Sequence, residues 1–458
     1  MNTNITNKAG LLLLALAALM AGCNDDNGGP VNSNTGPCDD LPAAYSSLPG
    51  TLICEDEIWA NDTTLAGPHF VVPGVTLTVN AGVTVSFEYH NNVSDEVGTI
   101  IALPADNQNF SSPRPTARLV AEGTASNPIV FTSAKSEPAR NDWGGIILGG
   151  RASNNVPGGI GNMEGLDDAI NYGGDFDADD SGSLEYVRIE YSGYSIAEGS
   201  EIQGLTLYSV GSGTNINHIN IYENSDDGIE IFGGTVDLKY VVVYGADDDS
   251  YDYDQGWQGR GQFWLAVQKP NADNGFENDG CDNISDCNWG NGPTSPQVYN
   301  MTVVGAGSSD EENRGLRLRE DLQGSYNNFI VTDFVGAPFV LEGGDQGEND
   351  PTYGNYPDQL SLSGFVVWQN GNFEDKSAAG GDATEPDATR YANSYESFDP
   401  MFTDPANYDF SLQAQSPALS GGETPPGDGF FDTDATWRGA FGTVDWAAEG
   451  SWVRWPDN

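Results

Sequence analysis

An all-β fold, wound as one solenoid of short parallel strands, is what the sequence predicts, and three observations carry it. Apolar–any–apolar stretches return at a step of 22 residues, or 22 plus an insertion. A second series of such stretches runs in step with the first. The 458 residues include 58 Gly and 25 Pro, too many for long helices and suited to a turn-rich β protein.

The first series is Val187/Ile189, Ile219/Ile221, Val241/Val243, Phe263/Leu265, Met301/Val303, Phe329/Val331 and Phe365/Val367. Alternation with period two marks half-buried strands, and the 22-residue return marks a repeat architecture. The second series contains Leu205/Leu207, Ile229/Ile231 and Tyr251/Tyr253, then Leu316/Leu318 and Phe339/Leu341. Each coil therefore carries at least two short strands, stacking on the next coil at about 4.8 Å. This is the pattern of a single-stranded parallel β-helix, and the handedness of parallel crossovers makes right-handed the expectation. A sandwich or propeller would instead show hairpin turns or a period near 40.

Five segments follow along the chain. Residues 1–22 read as a lipoprotein signal peptide: Lys8 precedes an apolar run, Leu11 to Met20, too short to span a bilayer. Met20-Ala21-Gly22-Cys23 resembles the lipobox of bacterial lipoproteins, which makes Cys23 the expected lipidation site and palmitate an expected modification. Residues 23–37, rich in Gly, Asn and Asp, read as a flexible tether. Residues 38–100 are expected to form an N-terminal cap and first coils, 101–400 the β-helix with inserted loops, and 401–458 a C-terminal coil and cap. Cys38, Cys54, Cys281 and Cys287 fall into two sequence-local pairs that an exported chain can oxidise, so Cys38–Cys54 and Cys281–Cys287 disulfides are expected.

The front half shows short strands broken by glycine turns: Val72-Pro73-Gly74-Val75-Thr76-Leu77-Thr78-Val79, Asn127-Pro128-Ile129-Val130-Phe131 and Trp143-Gly144-Gly145-Ile146-Ile147-Leu148-Gly149. With Ser183-Leu184-Glu185-Tyr186-Val187, Asp226-Asp227-Gly228-Ile229-Glu230 and Ser416-Pro417-Ala418-Leu419, these phrases make the chain resemble bacterial cell-surface lipoproteins with right-handed, pectate-lyase-like parallel β-helices. The resemblance covers roughly residues 50 to 450. It implies the fold and a lipid-anchored place in the outer membrane, facing periplasm or cell surface. It implies no particular chemistry.

The formal charge of −51 excludes nucleic acid as a partner, because phosphate recognition rests on clustered Lys and Arg. With five lysines in the chain there is no polybasic membrane patch either. The acids are patterned. Asp226 and Asp227 lie 22 residues before Asp248 and Asp249, so stacked coils bring carboxylates together. Such like charges need raised pKa values or a cation, and oxygen-rich surroundings favour Ca²⁺. Asp247, Asp252 and Asp254 are nearby candidates; the alternative is a solvated acidic edge. Asp177, Asp179 and Ser181, with Gly182 and Leu184, match the opening of a calcium loop, although Arg188 stands where the closing Glu belongs. The stretch Asp279 to Cys287 is a weaker third candidate.

Parallel β-helices include polysaccharide lyases and hydrolases. A glycosidase needs convergent carboxylates, which Asp226, Asp227, Glu230 and Asp249 could supply. A lyase needs a basic residue, for which Lys239, Arg260, Arg317 and Arg319 come into question, the last two projecting from the solenoid exterior. Gly-His-Gly and Arg-Ile-Lys signatures of the hydrolases do not occur, and the three histidines are scattered. Among the aromatics near the largest insertion, alternation puts Tyr251, Tyr253 and Phe263 in the core and leaves Trp257, Trp264 and Trp289 as candidate sugar platforms. The resulting expectation is a lipid-anchored, non-enzymatic envelope protein, Ca²⁺-stabilised and binding glycan or another envelope protein or component. The alternative is a polysaccharide lyase or glycoside hydrolase using the acidic ladder around Asp226–Asp254.

Overall fold

Two long parallel sheets run the length of a solenoid in this computed structural model. It describes residues 36–456 except 40, 91–96, 106–113, 165, 167–169, 198–199, 271, 283, 286, 308–312, 343–351, 371–374, 378–380 and 384–392. The expected signal peptide, Cys23 and most of the expected tether lie outside the described residues. No described helix is long and apolar enough to cross a membrane.

The first sheet has ten strands, from Thr51–Ile53 to Val340–Leu341, every neighbour parallel. Its inward rows are continuous: Ile100, Ile146, Leu205, Ile229, Tyr251, Phe276 and Leu316 stand in register, and Ala102, Leu148, Leu207, Ile231 and Tyr253 form the next row. The strand Phe276–Asp279 is a coil that the apolar pattern passed over, because Asn278 occupies an inward position. Asn278 tolerates this by hydrogen bonding: its Oδ1 accepts from Tyr326 Oη at 3.3 Å, and Tyr253 Oη donates to Tyr326 Oη at 3.0 Å.

The second sheet has fifteen strands. Its middle strands, among them Gly182–Glu190, Asn215–Tyr222 and Asp237–Tyr244, are eight or nine residues long. Each bends once at a left-handed residue: Tyr186, His218, Tyr240, Phe263, Asn300 and Asn328 all have φ between 50° and 63°. The bend turns the strand onto a new face, and these residues stack coil upon coil. Tyr186 to His218 is 4.1 Å and His218 to Tyr240 is 4.5 Å between ring centroids.

One register differs from the expected one. Val241 and Val243 pair with Trp264 and Ala266, not with Phe263 and Leu265. The coil between them is one residue longer than 22, and a slip of one residue exchanges the faces of a strand. Trp264 thus enters the core, Phe263 takes the bend, and Leu265 faces out.

The C-terminal stretch does not cap the end of the stack as expected. It runs back along the outer side of the second sheet, over the bend ladder. Asn328 Nδ2 donates to Glu423 O at 2.8 Å, and Asn300 Nδ2 donates to Trp437 O at 2.7 Å. Trp446 packs edge-on against Tyr240, Trp452 against His218, and Arg454 Nη1 reaches Glu190 at 2.6 Å. The returning stretch thus covers the outward side of the bend ladder and takes up the Asn300 and Asn328 amides. Both expected disulfides form, Cys38–Cys54 with Cα atoms 5.4 Å apart and Cys281–Cys287 at 6.2 Å.

Candidate functional site

The outward row of the first sheet changes character along the solenoid. In register it reads Phe70, Ile101, Ile147, Thr206, Glu230, Asp252, Glu277, Arg317 and Val340. The apolar start is covered by Leu48, Met163, Ile170 and Ile202 in a second hydrophobic cluster. The acidic middle follows where that cover ends.

The turn preceding each strand adds further carboxylates. Asp227 Oδ1 accepts the backbone N–H of Asp249 at 2.9 Å, and Asp249 Oδ1 accepts the N–H of Asn274. Each coil's Asp thus holds the turn of the next coil, which explains structurally why the Asp pair repeats at the coil step. Together, turns and row create three acidic trios: Asp227, Glu230 and Asp252; Asp227, Asp248 and Asp249; Asp249, Asp273 and Glu277. Within each trio the carboxylate oxygens lie within 4.8 Å of one another.

Burial and mutual repulsion act in one direction here. Burial first, then Asp249, raises the Asp227 carboxyl far above the usual carboxylate range; burial and Asp252 do the same to Glu230. Asp249 and Asp252 are raised by burial and by Glu277. Asp226, half-buried, is pushed up to about 8 by burial and Asp248. Glu164, on the loop over the sheet, is pushed up to about 7, by burial first.

Positive charge reaches only one end of the ladder. Arg317 Nη1 lies 3.0 Å from Glu277 and its Nε 2.8 Å from Glu342; Arg319 Nε lies 2.6 Å from Asp279. Among the described residues no ion pair reaches Asp227, Glu230, Asp249 or Asp252. Nearby oxygens are also unused. Gln203 Oε1, Thr206 Oγ1, Asn274 Oδ1 and Asp254 Oδ1 are buried with no hydrogen-bond partner among the described residues. A group of buried acceptors short of donors is the donor set of a hard cation.

The structure therefore brings together Asp226, Asp227, Glu230, Asp248, Asp249 and Asp252. It adds Asp273, Asn274, Glu277, Gln203 and Glu164, which the sequence reading missed. Asp273 and Asn274 follow Asp249 at a lengthened step, Gln203 precedes Asp227 by the 24 residues that separate Leu205 from Ile229, and Glu164 comes from a loop that no repeat marks. The strand alternation of Phe276–Asp279 is the signal that could have found Glu277.

Three expectations are corrected. Asp177, Asp179 and Ser181 do not converge as a calcium loop: Asp179 pairs with Arg151 at 2.9 Å and accepts from Thr116 Oγ1, Asp177 accepts from Ser153, and Ser181 Oγ donates to Gly149 O. Trp257 and Trp264 are not sugar platforms. Both are buried in the solenoid core, with indole N–H groups donated to Val236 O and Leu238 O. Trp289 alone of the three is exposed, at 41%. The candidate lyase bases are engaged: Lys239 and Arg260 lie on the second sheet, held by Phe430 O and by Asp237 and Asp428, away from the acidic row. Arg317 and Arg319 do project outward, but their neighbouring carboxylates hold both firmly protonated.

Neither the curated proteins nor the solved structures yield a match to the chain. A family model does: the pectate-lyase like beta helix domain matches residues 52–378, well over half of the chain, a span that holds the acidic row and nearly all of the two parallel sheets. The chain belongs to the family of pectate-lyase-like β-helix domains.

Proposed function

We propose that the chain is a non-enzymatic, lipid-anchored protein of the bacterial envelope whose β-helix is stabilised by Ca²⁺ and binds glycan or another envelope component. The observation that carries the cation is the trio Asp227, Glu230 and Asp252, with one carboxylate oxygen from each within 4.8 Å of the others and no ion pair to any of them among the described residues. Asp248, Asp249 and Asp226 would complete the oxygen cage at the turn. Ca²⁺ suits it better than Mg²⁺, which demands near-ideal octahedral geometry. Cys23 would carry the lipid that holds the protein at the outer membrane.

The test is calorimetric titration of chelator-treated protein with Ca²⁺ and with Mg²⁺. Binding of Ca²⁺ that Asp227→Asn with Asp249→Asn abolishes supports the reading, and no heat from either ion refutes it.

The family match favours a second reading, a polysaccharide lyase or glycoside hydrolase acting at the same row. Two features weigh against it. Asp227 and Asp249 are buried by the coils themselves, and paired glycosidase carboxylates need a separation of about 5 Å or more with sugar between them. Release of reducing ends or unsaturated products from a panel of polysaccharides would reverse the order of the two readings.

A further inference from the structure

Away from the acidic row, a cavity of about 480 Å³ opens between the strand ends of four successive coils, at Val267, Val304, Thr332 and Trp368, and the antiparallel hairpin of strands Phe402–Asp404 and Asp409–Leu412. Such a volume falls within the range of small-ligand sites, about 300–1,000 Å³. We propose that this cavity is a saccharide-binding site for a neutral glycan chain. The inference deepens the glycan-binding part of the function proposed above and rests on it.

The lining supplies what a sugar ring needs. Trp368, half-buried, Phe402 and Tyr408 present aromatic surface to the cavity. The Tyr408 ring is itself held rigid, stacked on Trp455 at 4.7 Å and edge-on to Tyr244 at 5.5 Å. A preset aromatic surface covers the C–H face of a pyranose at little entropic cost. Polar groups stand beside it with capacity to spare. Asp333 Oδ2 accepts from Thr332 Oγ1 at 2.9 Å and Asp399 Oδ1 accepts from Met401 N at 2.8 Å, leaving the second oxygen of each carboxylate without a partner among the described residues. The Gln369 amide and the Trp368 indole N–H likewise have none there. Sugar hydroxyls both donate and accept, and would use all four groups.

The corners place these groups on successive coils. Asp333 and Gln369 are both left-handed, φ 64° and 53°, where the chain leaves the second sheet, and Asp333 N–H donates to Trp368 O at 3.3 Å. The polar pair is therefore spaced by the coil step, about 4.8 Å, and can meet neighbouring units of one chain. Among the described residues no Lys or Arg lines the cavity, and two carboxylates do, in a protein of charge −51. Uronic acids and sulfated glycans are thereby repelled, so the glycan class is neutral.

The test titrates the full chain with cellohexaose, xylohexaose, mannohexaose and chitohexaose, with trigalacturonate as the anionic control. Affinity is read by calorimetry and tryptophan fluorescence. At least one neutral hexasaccharide should bind and trigalacturonate should not. Trp368→Ala should weaken binding about tenfold or more, and Gln369→Ala, at an exposed position whose side chain bonds to no described residue, should weaken it several-fold. Loss through Trp289→Ala with Trp368→Ala and Gln369→Ala unchanged would overturn this site and leave glycan binding standing elsewhere. Failure of all four neutral chains to bind would overturn both, and binding that vanishes in high NaCl would identify a charge effect and overturn it too.

Discussion

Raising the pH of the calcium-free protein from 5 to 8 should destabilise it, the reverse of what carboxylates in ion pairs do. Asp226 shows the size of the effect. Its carboxyl titrates at about 8 in the folded chain, raised by burial and then by Asp248, against about 3.9 in an unfolded one. Between those values the folded state holds a proton that the unfolded state has lost. Each such proton removes about 1.4 kcal/mol of stability per pH unit, so Asp226 alone accounts for about 3 kcal/mol between pH 5 and 7. Solvent at the rim of the site makes that an upper figure. Asp227, Glu230, Asp249 and Asp252 are shifted in the same direction and add to it. Ca²⁺ binds only the deprotonated carboxylates, so its stabilising effect should grow as pH rises, by about 2.7 kcal/mol once calcium is a hundredfold above Kd. Urea unfolding followed by tryptophan fluorescence at pH 5, 6, 7 and 8, in chelator and in millimolar Ca²⁺ at fixed ionic strength, measures both trends. Parallel pH profiles with and without calcium would refute the reasoning.

Four further outcomes are expected. Asp252→Asn should stabilise the chelated protein at pH 7 and shrink the gain from Ca²⁺, since an amide, unlike the raised Asp252 carboxyl, needs no proton to stand beside Asp227 and Glu230; paired urea curves decide this. Trp264→Ala should cost about 3–5 kcal/mol by denaturant melt, whereas Trp289→Ala should fall within about 0.5 kcal/mol of wild type. Reducing the Cys38–Cys54 bond, whose partners are 16 residues apart, should cost about 3 kcal/mol, and peptide mapping should find neither that pair nor Cys281–Cys287 crossed. Cys23→Ala should move the protein from the membrane fraction to the soluble one; retention in the membrane at high salt would contradict the anchor.

Most of the solenoid was legible because its strands repeat a period of two inside a period near 22, and both depend on residue class alone. The inward rows Leu205, Ile229, Tyr251 and Leu207, Ile231, Tyr253 are found where the alternation puts them. The pattern failed where the turn length changed. A single extra residue before Trp264 exchanged the faces of that strand, and with it the roles of Phe263, Trp264 and Leu265. Alternation also cannot distinguish a lumen-facing ring from one covered by a distant segment. Nothing local in Tyr186, His218 or Tyr240 announces that residues beyond 420 return to cover them. The acidic site divides in the same way: Asp226, Asp227, Asp248 and Asp249 were visible through their common step, Glu277 was hidden because Asn278 breaks the apolar alternation of its strand, and Glu164 reaches the site from a distant loop. The Asp177–Ser181 turn misled because a calcium loop is defined by convergence, and here Arg151 and Ser153 draw the same side chains apart.

The outward row of the first sheet is the reason to place the proposed cation in the middle of the solenoid. Every other stretch of that row has its complement within the chain. Phe70, Ile101 and Ile147 are covered by apolar side chains from the loops, and Glu277 is met by Arg317 and Arg319 on the following coil. Glu230 and Asp252 stand side by side in register, with Asp227 against them and unused oxygens of Gln203 and Thr206 nearby. In a row where each residue type matches what lies over it, the stretch left unmatched among the described residues is where the proposed cation would supply the matching charge. The fold could have ended the repulsion with a single arginine, as it does one coil later. With three carboxylates there instead, the cation proposed above would tie the stability of these coils to its own binding.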